Sequence, residues 1–241
     1  MRIAIVGYGK MGQAVKATAA AAGHEVVAVV DPEASEATAK EISAGNLNRA
    51  EVAIDFTHPD TVLDNIQKLA ETKVQIVVGT TGWYDSLPEV EKIVKDAGIG
   101  LLYAGNFSIG VNAFYGLVAE AARKLTGKEF DVSIHETHHT AKVDAPSGTA
   151  RELANIVIEN FPEKKEISTD DTEQPSPEAL RISSSREGKV VGIHEVTFDG
   201  ASDTITLTHS GKNRDGYAQG AVLAAEFLQG KKGVFTAKDL F

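Results

Sequence analysis

Residues 2–12, RIAIVGYGKMG, decide the fold of the N-terminal half of this chain. Five mostly apolar residues lead into glycines at positions 7, 9 and 12, which fit the pattern G-x-G-x-x-G. A strand, this turn and then a helix form the unit that binds the pyrophosphate of a dinucleotide. Gly7 permits the tight turn, Gly9 lets the backbone approach the phosphate, and Gly12 allows helix and strand to pack closely. The stretch therefore predicts a dinucleotide-binding βα unit, with a plain βα turn as the alternative.

An acidic residue comes directly after the second predicted strand. Asp31 stands where a carboxylate accepts hydrogen bonds from the adenosine ribose of a nicotinamide dinucleotide. The alternative is that Asp31 caps a helix opened by Pro32. A carboxylate disfavours the 2′-phosphate of NADPH and no arginine follows it, so Asp31 favours NADH. Lys10, in the phosphate-binding turn, leaves NADPH open because its charge could meet that phosphate.

The first hundred residues alternate short β-branched runs with helical patterns. This alternation is typical of right-handed βαβ units and a buried parallel sheet, so we predict a Rossmann-type, doubly wound α/β domain. The predicted strands are residues 2–6, 26–30, 52–56, 74–78 and 100–103, and the predicted helices are residues 11–22, 32–42, 59–71 and 87–97.

Two turns of small residues follow the fourth and fifth predicted strands. Open α/β sheets bind their ligands at the carboxyl ends of the strands. We therefore expect both turns to approach the nicotinamide ribose, with ordinary turns as the alternative. The first turn contains Gly79, Thr80 and Thr81, and the second contains Ala104, Gly105, Asn106 and Phe107.

The pattern changes beyond residue 107. We predict helices at 112–125, from about 146 and at 217–228, strands at 130–135, 190–198 and 204–208, and a surface loop over the acidic segment 159–177. A second, sheet-containing domain is thus inserted before the last helix, which could return to the first domain. The predicted domains are residues 1–107 with 215–241, which bind the dinucleotide, and residues 108–214.

The composition excludes several classes of site. The chain has 241 residues and no cysteine, which excludes disulfides, thiolate metal sites, iron–sulfur clusters and cysteine nucleophiles. Its 24 Lys and Arg against 34 Asp and Glu argue against general nucleic-acid binding. No stretch approaches the ~20 apolar residues of a membrane span and no signal peptide is recognisable, so we expect a cytoplasmic protein without a membrane partner.

The densest polar cluster is residues 135–150, HETHHTAKVDAPSGTA, which contains three of the seven histidines. Its first five residues spell H-E-x-x-H, a zinc-protease pattern that needs a helix to bring both histidines onto one face. The preceding residues are strand-like, and residues four apart on a strand stand ~13 Å from each other, too far to share a zinc ion. We therefore predict no metal site.

A proton-donating group fits this cluster better. His138, His139 and Lys142 form a local cationic group that can protonate a substrate reduced by a nicotinamide cofactor. Pro146 and Ser147 open a helix whose N-terminal N–H groups can hold a carboxylate. A solvated polar loop is the alternative, and serine hydrolysis is disfavoured because the chain lacks G-x-S-x-G. The other histidines stand singly and are interpreted as surface or hydrogen-bonded structural residues: His24, His58, His194 and His209.

The same cluster carries a family resemblance. Residues 138–150, HHTAKVDAPSGTA, strongly resemble the signature of bacterial 4-hydroxy-tetrahydrodipicolinate reductase, also called dihydrodipicolinate reductase. The resemblance implies a homotetramer, in which the second domain is an α+β substrate-binding and oligomerisation domain with a mixed, intersubunit sheet. Further matches extend over almost the whole chain, at residues 9–12, 55–57, 79–82, 106–112 and 227–228.

The resemblance also implies an activity and roles for individual residues. Hydride would pass from NADH or NADPH to a cyclic imine dicarboxylate in lysine and diaminopimelate biosynthesis. His138 would be the principal acid/base residue and Lys142 a second proton donor. The substrate carboxylates would be held by His139, Ser147, Gly148 and Thr149. The cofactor site would contain Gly7, Tyr8, Gly9, Lys10, Met11, Gly12, Asp31, Gly79, Thr80, Thr81, Ala104, Gly105, Asn106 and Phe107.

The sequence departs from the family pattern in two places. Its glycine turn is one residue shorter than the usual G-x-x-G-R-M-G, with Lys10 where arginine is frequent, and residues 210–214, SGKNR, replace a more usual ASSR while keeping Arg214. Two other functions are compatible with the first domain. One is a different two-domain nicotinamide oxidoreductase, such as a sugar or semialdehyde dehydrogenase. The other is a dinucleotide-sensing regulator, which calls for a basic nucleic-acid face that the sequence does not show.

Overall fold

A computed structural model describes residues 1–169 and 176–241. The chain divides into two compact units, Met1–Ile109 with Arg214–Phe241, and Gly110–Asn213. The strands are β1 (Arg2–Val6), β2 (Glu25–Val30), β3 (Val52–Asp55), β4 (Gln75–Val78), β5 (Gly100–Tyr103), β6 (Asp131–His138), β7 (Glu166–Ser168), β8 (Ala179–Arg186), β9 (Gly192–Asp199), β10 (Thr204–Gly211) and β11 (Gly233–Thr236). The α-helices are α1 (Lys10–Ala21), α2 (Pro59–Glu71), α3 (Leu87–Ala97), α4 (Ile109–Leu125), α5 (Gly148–Asn160), α6 (Asp215–Phe227) and α7 (Ala237–Leu240).

The first unit contains a six-stranded sheet in the order β11-β5-β4-β3-β1-β2. Every pair in it is parallel. Alternate residues of β1 enter two separate apolar cores, Ile3 and Ile5 on one face and Ala4 and Val6 on the other. Helices α1 and α6 contribute to the first core, and α2 and α3 to the second. The predicted doubly wound α/β fold is confirmed.

The order of the strands reverses where β1 lies between β2 and β3. Such a reversal opens a crevice at the carboxyl ends of the strands, and dinucleotides bind there. The glycine turn directly follows β1 and therefore lies at this position. The topology thus places the predicted phosphate-binding turn where the fold class binds its ligands.

Helices α2 and α3 have the predicted bounds because both their starts and their apolar faces are clear in the sequence. Each begins with a proline in its first turn, where the missing N–H costs nothing. Helix α2 buries Val62, Ile66 and Leu69, which are spaced three or four residues apart on one face. Gly98 ends α3 in a left-handed conformation.

The predicted helix over residues 32–42 is wrong, since the segment forms turns and bends. Its backbone is fixed instead by the end of β2. Thr38 Oγ1 accepts the N–H of Val29 at 2.9 Å, and Ala39 forms an isolated parallel bridge with Val30. These tertiary contacts override the good helix propensity of the segment. The alternative interpretation of Asp31 as the cap of this helix is therefore also wrong.

The second unit contains a mixed five-stranded sheet in the order β10-β9-β6-β8-β7. Strands β6, β8 and β7 run parallel, whereas β9 pairs antiparallel with both β6 and β10. Apolar residues of α4 and α5 pack with alternate residues of the sheet in one core. Strand β6 runs to His138, three residues further than predicted, so the sheet itself presents the first part of the histidine cluster.

The acidic segment 159–177 differs in part from the predicted surface loop. Glu159 and Asn160 belong to α5, and Glu166–Ser168 forms the edge strand β7. The part of this prediction that covers residues 170–175 lies outside the described residues. Strands β8 and β11 were not among the predicted elements. Among the described residues, no helix combines the length and the apolar character that crossing a membrane requires.

Candidate active site

The glycine turn has the geometry that a phosphate-binding turn requires. Gly7 has a φ of +85°, and a Cβ on it would lie 2.3 Å from the carbonyl oxygen of Phe56. A Cβ on Gly12 would lie 2.1 Å from the carbonyl oxygen of Gly7. A Cβ on Gly9, by contrast, would meet nothing within 4 Å. Two glycines are thus required by packing, and the third leaves the backbone open to a ligand.

The start of α1 fits a dinucleotide phosphate. Gly9 is the N-cap of the helix and supplies no side-chain cap. The first turn of α1 contains no acidic residue that would repel an anion. Helix N-termini attract anions through their N–H groups and the helix dipole. The residues present therefore fit the pyrophosphate of a dinucleotide, and those that would hold it are Gly7, Tyr8, Gly9, Lys10, Met11 and Gly12.

Asp31 is tied to this turn. Its Oδ2 accepts the N–H of Tyr8 at 2.7 Å, while its Oδ1 accepts the N–H groups of Glu33 and Ala34 at 2.9 and 2.8 Å. Burial alone would raise the pKa of Asp31, but these three backbone N–H groups outweigh it and hold that pKa below its ordinary value. An ionised carboxylate thus stands beside the glycine turn at the end of β2.

The turns after β4 and β5 place their residues in different surroundings. The hydroxyl of Thr80 is buried and bonds to Asp55, and the ring of Phe107 lies in the apolar core. Thr81 and Gly105 are exposed. The side chain of Asn106 accepts the N–H of Ser108 at 2.8 Å. Only the exposed members of these turns can offer their surface to a ligand without rearrangement.

Asp55 holds the turn after β4 in place. Its Oδ1 accepts hydrogen bonds from the hydroxyls of Thr57 and Thr80 at 2.7 and 2.9 Å, and its Oδ2 accepts one from Asn65 at 2.9 Å. Burial raises the pKa of Asp55 in spite of these bonds. The sequence comparison with the family included Asp55 but gave it no role. The structure places it as a link between β3, β4 and α2.

The loop after β6 carries the second proposed proton donor. Lys142 Nζ donates to both carboxylate oxygens of Asp144 at 2.8 Å each. Hydrogen bonding to this ammonium, against some burial, holds the pKa of Asp144 below its ordinary value. Arg186, on β8, fixes the loop by donating to the carbonyl oxygens of Lys142 and Asp144 at 3.1 and 2.7 Å. His139 lies half-buried at the start of the same loop.

His138 ends β6 and is buried, with 6% of its surface exposed. Its Nδ1 lies 3.5 Å from Oε2 of Glu136, and its ring stands edge-on to that of His194 with 5.1 Å between centroids. Burial lowers the pKa of His138 to about 4, an effect that the Glu136 carboxylate opposes and that the neighbouring His194, Lys142 and Arg186 reinforce. His138 is therefore neutral near neutral pH.

The N-terminus of α5 adjoins this group. Ser147 is the N-cap, and its Oγ accepts the N–H of Ala150 at 3.2 Å. The same Oγ lies 3.2 Å from His194 Nε2, and the Ser147 N–H donates to Glu136 Oε1 at 3.0 Å. Gly148 is exposed, and a Cβ on it would meet nothing within 4 Å. The start of α5 is thus held by the hydrogen bonds of Ser147, and the space beside Gly148 is open.

The structure brings together some of the predicted residues and adds two that the sequence did not reveal. His138 and Ser147 meet around Glu136 and His194. His194 had been interpreted as a lone structural residue, because its place opposite Glu136 depends on the register of β6 with β9. The sequence signal that could have found it is the spacing of the predicted strand 190–198, which puts His194 on the same face as the apolar Val196 and Phe198.

The H-E-x-x-H residues do not form a zinc site of the protease type. His135 lies on β6, as the strand prediction required, and its Nδ1 lies 2.7 Å from Ser183 Oγ. Residue 139 lies beyond the end of the strand. A different set, Glu136, His138 and His194, brings three potential ligand atoms within 4.8 Å of one another.

Comparison with known proteins identifies the family of the chain. The family profile described as dihydrodipicolinate reductase, N-terminus, matches residues 1–107, and the one described as dihydrodipicolinate reductase, C-terminus, matches residues 110–241. The 4-hydroxy-tetrahydrodipicolinate reductase of Christiangramia forsetii is 38% identical over 243 residues, which cover 100% of this chain and 97% of that protein. The protein of the same name from Ralstonia nicotianae is 36% identical over 264 residues, covering 100% of this chain and 99% of that protein.

A solved structure extends the likeness to three dimensions. Dihydrodipicolinate reductase from Paenisporosarcina sp. TG-14, determined with dipicolinate bound, has a TM-score of 0.81 and 26% identity. The alignment covers 98% of this chain and 97% of that one. Profiles, relatives and structure agree over both units, and the chain belongs to the dihydrodipicolinate reductase family, a family of nicotinamide-dependent oxidoreductases.

Proposed function

We propose that this chain reduces 4-hydroxy-tetrahydrodipicolinate to tetrahydrodipicolinate, a step of lysine and diaminopimelate biosynthesis. The observation that carries the proposal is the grouping of His138 with the N-terminus of α5 in a chain whose full length matches relatives of that name. The reaction takes up one hydride and one proton and releases the 4-hydroxyl group as water. NADH or NADPH, when bound, supplies the hydride.

His138 and Lys142 supply and manage the proton in this proposal. A cyclic imine gains a proton as it accepts a hydride, and a general acid placed beside it lowers the barrier. His138 is the principal acid/base residue and Lys142 is the second donor. The low pKa of His138 supports this role, because a bound dianion would favour the imidazolium and raise that pKa toward the working range.

The substrate carboxylates bind to the cationic group and to the start of α5. His139, Ser147, Gly148 and Thr149 hold them. A helix N-terminus with open space above Gly148 and a nearby lysine suits an anion, in a chain with a formal net charge of −10. The Lys142 ammonium donates hydrogen bonds to Asp144, and a substrate carboxylate would replace Asp144 as its partner.

The cofactor residues are the glycine turn, Asp31 and the turns after β4 and β5. We propose that NADH is preferred, since the ionised Asp31 would repel a 2′-phosphate. Lys10 is exposed at the start of α1, and it is the group through which NADPH would also be accepted. The residues of the two further turns are Gly79, Thr80, Thr81, Ala104, Gly105, Asn106 and Phe107. The exposed Thr81 and Gly105 would contact the cofactor, and the buried Thr80, Ala104 and Phe107 would hold the turns in place.

The assay that tests this function follows the loss of the near-ultraviolet absorbance of reduced nicotinamide. The substrate is generated in place by the aldol condensation of pyruvate with aspartate semialdehyde. We expect turnover with both cofactors and a higher kcat/KM with NADH. No turnover above the rate without enzyme would contradict the proposed reaction, and a preference for NADPH would contradict the role of Asp31.

The family membership also supports a homotetramer in the cytoplasm. Strand β10 lies at the edge of the second sheet, and its outward residues Thr204, Thr206 and Thr208 are exposed in the single chain. We propose that this sheet joins that of another copy. Light scattering coupled to size-exclusion chromatography should give four times the chain mass of 25.6 kDa.

A further inference from the structure

Glu136 is a buried carboxylate to which the proposed reaction assigns no role. Its side chain is 0% exposed, and it lies on β6 directly opposite Ser184 of β8 and His194 of β9. Oε1 accepts hydrogen bonds from the Ser147 N–H at 3.0 Å and from the Ser184 hydroxyl at 2.8 Å. One of the two carboxylate oxygens is thus fully engaged.

The other oxygen faces two imidazole rings. Oε2 lies 3.5 Å from His138 Nδ1 and 3.6 Å from His194 Nε2. Within residues 1–169 and 176–241, neither Oε2 nor His138 Nδ1 has a hydrogen-bond partner, although both atoms are buried. His194 Nε2, in contrast, has Ser147 Oγ at 3.2 Å. The two unpartnered atoms therefore face each other, and a small side-chain rotation would join them.

The carboxylate is ionised where it faces His138. Burial would raise the pKa of Glu136, but the nearby His194 ring and the hydrogen bonds from Ser147 and Ser184 outweigh it and hold the pKa well below its ordinary range. An ionised carboxylate can only accept hydrogen bonds, and an unpaired buried one costs free energy. Of the two ring nitrogens that face Oε2, His194 Nε2 has Ser147 Oγ as its partner, which leaves His138 Nδ1 to donate a hydrogen to Oε2. In neutral His138 this makes the other nitrogen, Nε2, the basic one.

We infer that Glu136 is a positioning residue that keeps the hydrogen of neutral His138 on Nδ1 and leaves Nε2 to exchange a proton with the substrate. The inference rests on the proposed role of His138. Nε2 takes up a proton from water, the imidazolium so formed is stabilised by the Glu136 carboxylate, and the proton then passes from Nε2 to the reduced substrate. Carboxylates that hold a catalytic histidine act in the same way in hydrolase triads.

The surroundings of His138 support this division between its two nitrogens. A Cβ on Gly192 would lie 3.1 Å from His138 Nε2, so the glycine leaves room at that edge of the ring. The charged and titratable groups that act on His138 besides Glu136 are His194, Lys142 and Arg186, and all three disfavour its protonated form. Of these four groups, Glu136 favours the imidazolium.

The test reads the tautomer of His138 directly. Long-range ¹H–¹⁵N spectra of the full-length protein, labelled with ¹⁵N-histidine and assigned with His138→Gln, should show hydrogen on Nδ1 at neutral pH. In Glu136→Gln the amide oxygen remains the acceptor for Ser147 and Ser184, so the amide N–H turns toward the ring. We expect the hydrogen of His138 to move to Nε2 and kcat to fall by about 10- to 100-fold. Hydrogen on Nε2 in the natural protein, or one tautomer in both proteins, would overturn the inference.

Two controls separate this inference from the proposed function. Ser184→Ala removes a hydrogen bond to Oε1 only, and it should retain the Nδ1 tautomer. If His138→Gln keeps full turnover, the proposed role of His138 fails, while the tautomer result stands by itself. In the His138→Gln background, Glu136→Gln should cause no further loss of kcat, because it acts through the missing ring. If Glu136→Gln lowered kcat in the His138→Gln background by as much as it does in the natural protein, the positioning role would be overturned. The natural protein gives a tautomer result even if Glu136→Gln fails to fold.

Discussion

Burial separates the two proposed proton donors. His138 is 6% exposed, whereas the Lys142 side chain is 21% exposed and has a carboxylate partner in Asp144. The His138 imidazole is buried against Glu136, whereas the Lys142 ammonium lies nearer to solvent and pairs with a carboxylate. The two residues should therefore respond differently to substitution, one mainly in the rate and the other in both rate and binding.

His138→Gln should lower kcat by about 10²- to 10⁴-fold while the Kd for the cofactor stays unchanged, since general acid catalysis contributes a factor of that order. Steady-state kinetics and a fluorescence titration with NADH measure the two quantities. His58→Gln, at an exposed histidine, is the matched control and should behave like the natural protein. A Kd that rises in step with the loss of kcat would point to a structural role instead.

Lys142→Ala should both lower kcat and raise KM for the substrate, because one ammonium group acts as proton donor and carboxylate partner. We expect each change to be about tenfold or more, equivalent to about 1.4 kcal/mol. Lys128→Ala removes an exposed lysine and controls for general charge effects. Natural kinetics in Lys142→Ala would remove the residue from the site.

The buried His138 should also make stability depend on pH. Its folded pKa of about 4 lies below the ordinary 6.5, so the unfolded chain binds a proton that the folded protein does not. The stability contribution is complete above pH 6.5 and is lost as the pH falls toward 4. Between pH 7 and 5 the loss should be about 2 kcal/mol. Urea unfolding at both values should show this loss in the natural protein and a smaller one in His138→Gln, and equal losses would contradict it.

At the scale of elements, the unit formed by β1, the glycine turn and α1 combines packing and ligand access in one short stretch. Gly12 is confined by the carbonyl of Gly7, and Gly9 borders open space. Packing and binding are therefore carried by different glycines of one motif. Substitutions by alanine can separate the two functions.

Gly9→Ala should leave the free energy of unfolding within about 0.5 kcal/mol of the natural value, since its methyl meets no protein atom. It should nevertheless weaken cofactor binding at least about tenfold by filling the space the phosphate would approach. Gly12→Ala should destabilise the fold by about 2 kcal/mol or more, because the methyl would overlap the Gly7 carbonyl. Chemical unfolding and cofactor titration distinguish them, and unchanged binding in Gly9→Ala would contradict the phosphate role of the turn.

Elements were predictable where local pattern and tertiary environment agree. Helix α2 has a proline at its start and one apolar face, and its predicted bounds are the observed ones. Residues 32–42 have good helix formers but almost no apolar stripe, so contacts with β2 decide their path. Strand β8, ALRISSSR, escaped prediction because its polar serines hide the buried Ala179, Leu180 and Ile182.

At the scale of the whole molecule, the first unit is completed by the end of the chain. Strand β11 pairs with β5 at the edge of the sheet, and α6 supplies Ala221, Ala225 and other buried residues to the core that contains α1. The sequence indicated the return of the last helix but not the strand after it. The four residues of β11, GVFT, are too few to show a strand pattern, and the strand forms only because β5 pairs with it.

A chain that ends at residue 213 should fail to fold its first unit. It would expose the core face that α6 covers and leave β5 as the edge of the sheet. A domain is typically stable by only 5–15 kcal/mol, so we expect the loss of a whole helix from its core to unfold it. Soluble yield and circular dichroism measure the outcome. A chain that ends at residue 236 keeps α6 and β11 and should fold. If the chain that ends at residue 213 unfolded cooperatively at the same temperature as the full-length protein, this expectation would be wrong.

The site could be predicted only as far as its residues are neighbours in the sequence. His138, Lys142 and Ser147 belong to one stretch and were named from it. The pairing of Glu136 with His194 depends on which strands lie side by side and in what register, and these facts exist only in the folded sheet.

The hydrogen bond between Asp31 and the Tyr8 N–H has a consequence for protein engineering. An acidic residue after the second strand disfavours the extra phosphate of NADPH, so its neutralisation is the direct way to switch coenzymes. Here that residue also anchors the glycine loop, at 2.7 Å. A replacement without this acceptor would lower the affinity for both coenzymes, because the glycine loop would no longer be held in place. A successful switch must therefore keep an acceptor for the Tyr8 N–H and add a cation for the extra phosphate.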